Sequence, residues 1–318
     1  MRILLVKTSS LGDVIHNLPV LSDIRRQWPD ATVDWCVEES FAAIPRLHPA
    51  LGAVWPVAIR RWRKHLLQAT TWREIAALRH ALRGQAYDWV IDTQGLLKSA
   101  LLARWAPGQH AGYAADSARE PLAARFYEQH FSVSRALHAV ERNRQLAAAA
   151  LGYSLVPAVD YGIAPPAPCA VPDFPGKPTV VLLTATSRDD KLWPETQWQA
   201  LGQALQAQGF QLLLPAGSAP ERARAARLAA AIPEAQAMPP LSIPQLATLL
   251  GQARAVVGLD TGLTHLAVAL RVPTVAIYTA TDPGLTGVYG SGFYRNLGGQ
   301  AQCPTVAAVL GELQAVLA

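Results

Sequence analysis

A lone carboxylate stands where dinucleotide-binding folds place glycines. The segment Thr8-Ser9-Ser10-Leu11-Gly12-Asp13 follows the apolar run Ile3-Leu4-Leu5-Val6 and opens a helical pattern. Three glycines at such a turn would bring a pyrophosphate against backbone amides. This turn offers one glycine and Asp13, whose negative charge repels phosphate. An aspartate is ionised at neutral pH and can take a proton from a hydroxyl as that oxygen attacks a carbon, so the turn suits a general base beside a hydroxyl-bearing substrate.

Chemistry for anions lies further along. Val256-Val257-Gly258-Leu259-Asp260-Thr261-Gly262-Leu263-Thr264-His265 reads as a strand running into a helix. Free amides, a small residue and a positive dipole end make that helix start an anion site. Asp260 or Thr261 could equally cap the helix, and His265 could be a satisfied half-buried histidine. Thr184-Ala185-Thr186-Ser187-Arg188-Asp189-Asp190-Lys191 is a polar loop after another strand. Its hydroxyls and Lys191 suit a diphosphate, whereas Asp189, Asp190 and Lys191 could also be an exposed charged turn. Two adjacent acids with no other ligand nearby are weak grounds for a metal. Glu221, at a third strand-to-helix junction, could accept from ribose hydroxyls or stabilise the start of its own helix.

These residues need a frame, and the apolar pattern supplies one. Strands are predicted over Arg2 to Lys7, Thr32 to Val37, Ala53 to Ile59 and Tyr87 to Asp92. Helical periodicity intervenes, first with Val14, Leu18, Leu21 and Ile24 on one face and a bend at Pro19. Near-continuous apolar strands alternating with helices imply a parallel sheet covered on both faces. Seven prolines from Pro157 to Pro178 then suit neither helix nor central strand. After them the alternation restarts with strands at Thr179 to Leu183, Gln211 to Leu214, Ala255 to Leu259 and Thr274 to Tyr278. Helices are predicted from Pro194 to Gln208, Pro220 to Ala231, Ile243 to Ala253, and from Thr261 onward. The division expected is a first domain over 1–160, a linker over 161–178 and a second domain over 179–318, the last helix being free to pack back on the first.

The chain has 318 residues, 51% hydrophobic and 16% charged, a composition of compact α/β enzymes that argues against extended disorder. No stretch reaches the roughly 18 apolar residues of a membrane span, and no leader pattern precedes the first strand, so a cytoplasmic protein is expected. Cys36, Cys169 and Cys303 lack metal-ligand spacing and fit a reducing compartment. The net charge of +5 concentrates between Arg60 and Arg83, where Arg60, Arg61, Arg63, Lys64, Arg73, Arg79 and Arg83 face the single acid Glu74. Such a run can be simply a solvated helix face. Neither a helix-turn-helix pattern nor stacking aromatics beyond Trp62 and Trp72 accompany it, so no nucleic-acid partner is expected.

Several motifs, in order along nearly the whole chain, resemble the heptosyltransferases of glycosyltransferase family 9, type I in particular. They are Lys7 to His16, Arg60-Arg61-Trp62-Arg63-Lys64, Asp92-Thr93-Gln94-Gly95-Leu96-Leu97-Lys98-Ser99, Arg119-Glu120-Pro121, His138-Ala139-Val140-Glu141-Arg142 and Asp260-Thr261-Gly262. The resemblance implies the α/β GT-B fold, two Rossmann-like domains with parallel sheets facing across a cleft. It implies transfer of L-glycero-D-manno-heptose from ADP-heptose to the first Kdo of Kdo2-lipid A, with inversion and no metal or other cofactor. Asp13 becomes the base and Lys191 the leaving-group cation. Thr186, Ser187, Lys191, Glu221, Leu241, Asp260, Thr261, Gly262 and His265 become the donor site. Ser10, Gly12, Gln94, Lys98 and Arg119 become acceptor contacts, joined by Arg60, Arg61, Arg63 and Lys64, whose charge suits Kdo and phosphate groups or an anionic inner-membrane surface touched peripherally. A monomer is expected. Ser187 replaces a common threonine, Leu241 an expected methionine, and Thr279-Ala280 the Gly-Pro of the family's Gly-Pro-Thr-Asp-Pro segment. A type II enzyme adding to a heptose, and a non-catalytic nucleotide-binding module, are the alternative readings.

Overall fold

The computed structural model describes residues 1–166 and 177–317, so Cys169 and most of the proline-rich linker lie outside the described residues. The chain divides into two compact units, Met1–Gly162 and Ile163–Ala318.

The first unit holds strands β1 (Arg2–Val6), β2 (Thr32–Glu38), β3 (Leu51–Val57), β4 (Trp89–Asp92), β5 (Gln109–Tyr113) and β6 (Gln129–Phe131). Its helices are α1 (Leu11–Ile15), α2 (Leu18–Gln27), α3 (Ile59–Trp62), α4 (Ala69–Arg83), α5 (Leu97–Ala103) and α6 (Ala139–Leu151). The six strands form one parallel sheet in the order β3-β2-β1-β4-β5-β6. Ile3, Leu4, Leu5 and Val6 of β1 are all fully buried, as both faces of a covered central strand require. The helical pattern after β1 is two helices rather than one bent helix. It breaks at His16-Asn17, and Pro19 sits in the first turn of α2, where its missing N–H costs nothing. The third strand also ends earlier than the apolar pattern suggests, because Ile59 already begins α3.

The second unit holds β7 (Thr179–Leu183), β8 (Gln211–Leu214), β9 (Gln236–Ala237), β10 (Ala255–Leu259), β11 (Thr274–Tyr278) and β12 (Tyr294–Gly298). Its helices are α7 (Glu195–Ala207), α8 (Ala219–Ala231), α9 (Ile243–Gln252), α10 (Gly262–Ala269), α11 (Pro283–Thr286) and α12 (Val306–Leu317). The sheet is again parallel, ordered β12-β11-β10-β7-β8-β9. Counted from its own first strand, this is the order of the first unit. Helix α12 buries Val309, Leu313 and Val316 in the core of the second unit, beside Trp198, Val275 and Ile277.

Both sheets therefore reverse direction of strand order at one place, β1/β4 in the first and β7/β10 in the second. Ligands of open α/β sheets bind at the carboxyl ends of the strands beside such a reversal. Val6 pairs with Asp92, so Lys7 and Thr93 leave the first sheet side by side. Gly258 pairs with Leu183, so the loops opening at Thr184 and Asp260 leave the second sheet as neighbours.

Candidate functional site

The first cluster is built on the β1/β4 edge. Asp13 occupies the third position of α1, and its Oδ2 accepts from the Ser10 N–H at 2.7 Å and the Ser10 hydroxyl at 2.9 Å. Among the described residues nothing is bonded to Oδ1. Ser10, expected to touch an acceptor, thus holds the carboxylate, and Gly12 lies in the same short helix. The preceding residues are fastened from β4. Gln94 Oε1 accepts from the N–H groups of Thr8 and Ser9 at 2.9 and 3.1 Å, and its Nε2 donates to Ser9 O at 2.6 Å. Gln94 was expected at an acceptor contact, yet it is buried and its amide is committed to the Thr8-Ser9 backbone. Asp92 fixes Gln94 in turn, since its Oδ1 accepts from the Gln94 N–H at 2.8 Å while its Oδ2 accepts from the Tyr127 hydroxyl at 2.7 Å.

Behind this turn lies Lys7, which the sequence pattern does not set apart from the rest of its motif. Its ammonium is buried and donates to Thr93 O at 2.6 Å and to Asn143 Oδ1 at 3.2 Å. Burial pushes its pKa down to about 8, against the opposing pull of the Asp13 and Asp92 carboxylates. Arg142 and Arg119 lower it further, which places four charges around Lys7. Burial raises the Asp92 carboxyl, opposed by the Tyr127 hydroxyl. Arg142 stacks over Tyr113 at 4.9 Å and donates to Ser117 O at 2.6 Å. Lys98, exposed, reaches Ser9 Oγ at 3.2 Å. Asp13 thus lies in a turn bordered by Lys98, with Lys7, Arg119 and Arg142 close by, a surrounding suited to an anionic substrate.

The basic run is divided by the fold. Arg61 is paired with Glu39 at 3.1 Å and Glu74 at 2.9 Å, so its charge is offset locally. Arg60 lies over the Phe41 ring at 5.1 Å, and Arg63 and Lys64 are exposed. Glu39 carried no signal in sequence, being 22 residues from Arg61.

The second cluster occupies the β7/β10 edge. Lys191 Nζ and Asp260 Oδ2 are 2.7 Å apart with side chains only 15% and 12% exposed. Thr281 donates to the same Oδ2 at 2.7 Å, Thr186 donates to Asp260 O at 2.9 Å, and His265 Nε2 lies 4.0 Å from Oδ1. Asp260 is thus a hub rather than a helix cap, and Thr261 takes the cap position without a side-chain cap bond. Gly258 explains how closely α10 approaches. A Cβ there would lie 2.3 Å from Thr264 Oγ1, which donates to Leu259 O at 2.6 Å. The loop lacking Gly-Pro is held by two threonines, Thr281 on Asp260 and Thr279 on Asp190 O at 3.0 Å. Thr281 carries no local signal in the sequence, because its partner lies 21 residues away.

Glu221 takes the structural option first. Its Oε2 accepts from the N–H groups of Gly217 and Ser218 at 2.9 and 3.0 Å and closes the capping box of α8. Ser187 is exposed in the Lys191 loop, and half-buried Leu241 precedes Ser242, which caps α9. Among the described residues no helix is long and apolar enough to cross a membrane.

Two Rossmann-like units of one topology, with an aspartate at one strand-order reversal and a lysine beside a helix start at the other, define a GT-B glycosyltransferase. The model of glycosyltransferase family 9 (heptosyltransferase) matches residues 75–307. Lipopolysaccharide heptosyltransferase 1 of Pseudomonas aeruginosa is 51% identical over 292 residues, covering 91% of this chain and 82% of the relative. The solved Escherichia coli heptosyltransferase WaaC with ADP superposes with a TM-score of 0.90 at 42% identity, over 99% of each chain. The solved E. coli ADP-heptose lps heptosyltransferase II superposes with a TM-score of 0.76 at 22% identity, over 100% of this chain and 98% of that one. The chain belongs to glycosyltransferase family 9, the heptosyltransferases.

Proposed function

We propose that this heptosyltransferase is of type 1, moving L-glycero-D-manno-heptose from ADP-heptose to the first Kdo of Kdo2-lipid A with inversion. The observation that carries the reading is the ordering of identities, higher to the type 1 relative than to the solved type II enzyme. The ADP held by WaaC supports the nucleotide half of the donor.

The local geometry supports a division of labour. Asp13 Oδ1 takes the proton from the acceptor hydroxyl while that oxygen bonds to the anomeric carbon. The bond from that carbon to the diphosphate oxygen breaks, and ADP leaves with the electron pair. Ser10 holds Oδ2, so the carboxylate keeps one oxygen for chemistry. Positioned proton transfer of this kind contributes about 10² to 10⁴ in rate. Charge developing on the diphosphate is met by Lys191 and the amides at the start of α10, so the reaction needs no metal ion. One base and one leaving-group site, with no covalent intermediate, make a single displacement. Thr186, Ser187, Leu241, Thr261 and His265 line the donor side, and Glu221 reaches a ribose hydroxyl through Oε1. Lys98, Arg119, Arg60, Arg63 and Lys64 attract the Kdo carboxylate and the lipid A phosphates. The protein works as a monomer on the cytoplasmic side of the inner membrane, touching it peripherally.

Incubation with ADP-heptose and Kdo2-lipid A, with chelator present, yields an acceptor heavier by one heptose and one ADP released per transfer. Transfer only to an acceptor already carrying heptose would favour the type II reading, and no ADP release with either acceptor would refute both.

A further inference from the structure

We infer that the turn between α3 and α4 is an insertion tip that seats the first unit on an anionic bilayer, an inference that rests on the lipid-linked acceptor proposed above. Leu67 is fully exposed at 103%, Leu66 is 50% exposed and Trp72 57% exposed, three large apolar side chains within seven residues. Clustered exposure of this kind marks a contact surface where isolated exposed leucines would not.

Part of the hydrogen bonding of the turn closes within the turn itself, although His65, Gln68 and Thr70 are exposed. The Trp72 indole N–H donates to Leu66 O at 2.8 Å, the Thr71 hydroxyl to His65 O at 2.9 Å, and the Gln68 N–H to His65 O at 3.0 Å. Those bonds persist when the tip leaves water, with the polar side chains kept at the headgroup level, while the leucines and the indole ring gain an apolar surrounding. Tryptophan with its N–H satisfied and its ring outward suits the boundary between headgroups and acyl chains.

Charge selects the kind of surface. Arg60, Arg63 and Lys64 precede the tip and Arg73 follows it, all exposed. Arg61 is excluded because Glu39 and Glu74 together more than offset its charge, leaving the tip with a net positive excess from the other four cations. Apolar residues ringed by cations match an anionic leaflet, where each lysine or arginine near the surface strengthens partitioning about fivefold.

Location ties the tip to the acceptor. The Arg60 N–H donates to Glu38 Oε1 at 3.2 Å, pinning α3 to the end of β2. The tip therefore projects from the carboxyl edge of the sheet, the edge that carries Asp13. An acceptor whose acyl chains stay in the bilayer presents its sugars to that same edge.

The test compares the full-length protein with Leu66→Ser/Leu67→Ser on sedimented vesicles of phosphatidylethanolamine and phosphatidylglycerol, and on vesicles of phosphatidylcholine. Wild type partitions onto the anionic vesicles in preference to the neutral ones, and the double variant loses about a hundredfold in partitioning, roughly tenfold per leucine. Brominated lipids quench the wild-type tryptophan fluorescence, and Trp72→Phe removes most of that quenching. With a deacylated, water-soluble Kdo acceptor the double variant turns over at the wild-type rate, whereas with vesicle-embedded acceptor its turnover falls. Equal vesicle binding by variant and wild type, or equal wild-type binding to neutral and anionic vesicles, overturns the inference. Absence of wild-type turnover on the soluble acceptor would instead strike the proposed reaction and leave the vesicle result to be read independently.

Discussion

Replacing Gln94 by alanine separates positioning from contact. The Gln94 amide makes three bonds of 2.6 to 3.1 Å to the Thr8-Ser9 backbone, inside the turn that delivers Asp13. At a net value of about 0.5–1.5 kcal/mol each, their loss amounts to about 3 kcal/mol if the turn stays in place. For a unit of this size that lowers the melting temperature by about 6–12 °C. If the turn relaxes instead and its amides find water, less stability is lost and the cost moves to catalysis, where a displacement of about 1 Å reduces turnover about 10²-fold. In either case the KM for ADP-heptose stays unchanged, because the proposed donor loops belong to the other unit. Gln94→Glu gives an intermediate result, since a carboxylate accepts from both N–H groups yet repels Ser9 O. Thermal denaturation and steady-state ADP release, with each substrate varied, measure these quantities. Unchanged melting temperature and kcat with a raised acceptor KM would refute the reasoning and return Gln94 to direct acceptor contact.

Asp13→Asn keeps an oxygen for the Ser10 N–H but removes the proton acceptor, so kcat falls about 10²- to 10⁴-fold while ADP affinity by titration calorimetry is unchanged. The Lys7 cation stands beside Asp13 with a pKa near 8, so wild-type kcat/KM declines as pH rises through about 8, and Lys7→Met loses that alkaline limb. The same shift affects stability. Because the folded-state value lies below the unfolded one, near ~10.4, the unfolded chain binds more protons between about 8 and ~10.4. Stability therefore gains a contribution as pH rises through that window, a gain that denaturant titrations of Lys7→Met do not show. Arg144 is buried, bonds both oxygens of Asp23 at 2.7 and 3.1 Å, and donates to the carbonyls of Val156 and Ala158. Arg144→Leu leaves that carboxylate buried and costs about 3–5 kcal/mol in urea denaturation, part of which Asp23→Asn restores in the double variant.

What was legible in the sequence was local. Strands β1, β7, β10 and β11 are continuous apolar runs because helices cover both faces of a parallel sheet, and their ends agree with the apolar pattern to within a residue. Strand β5, Gln109-His-Ala-Gly-Tyr, has no such run, since His110 is satisfied by Glu128 and by carbonyls of the preceding turn. Gly112 belongs there because the Tyr127 ring lies where its Cβ would be, 2.2 Å away. A tertiary contact thus sets the residue type. Strand β12 carries Arg295 and Asn296, and β9 is two residues long, so neither has a periodic signature. The same distinction applies to the candidate site. Asp13 and the start of α10 stand out because strand-to-helix junctions are local in the chain. The commitments of Gln94, Lys7, Arg61 and Lys191 depend on partners 86, 136, 22 and 69 residues away, which no spacing rule reaches.

The repeated strand order has an engineering consequence. Each unit folds its own six-stranded sheet and its own apolar core, and each carries its loops at the same topological position. On the division of labour proposed above, nucleotide-sugar choice and acceptor choice are written in separate modules. Loops after β7 and β10 can be exchanged to change what is transferred without disturbing the strands that hold Asp13. Loops after β1, β3 and β4 can be exchanged to change what receives it. Chimeras cut within 163–178 are the natural units of such recombination, because that junction falls after the sheet and helices of one module and before the first strand of the other.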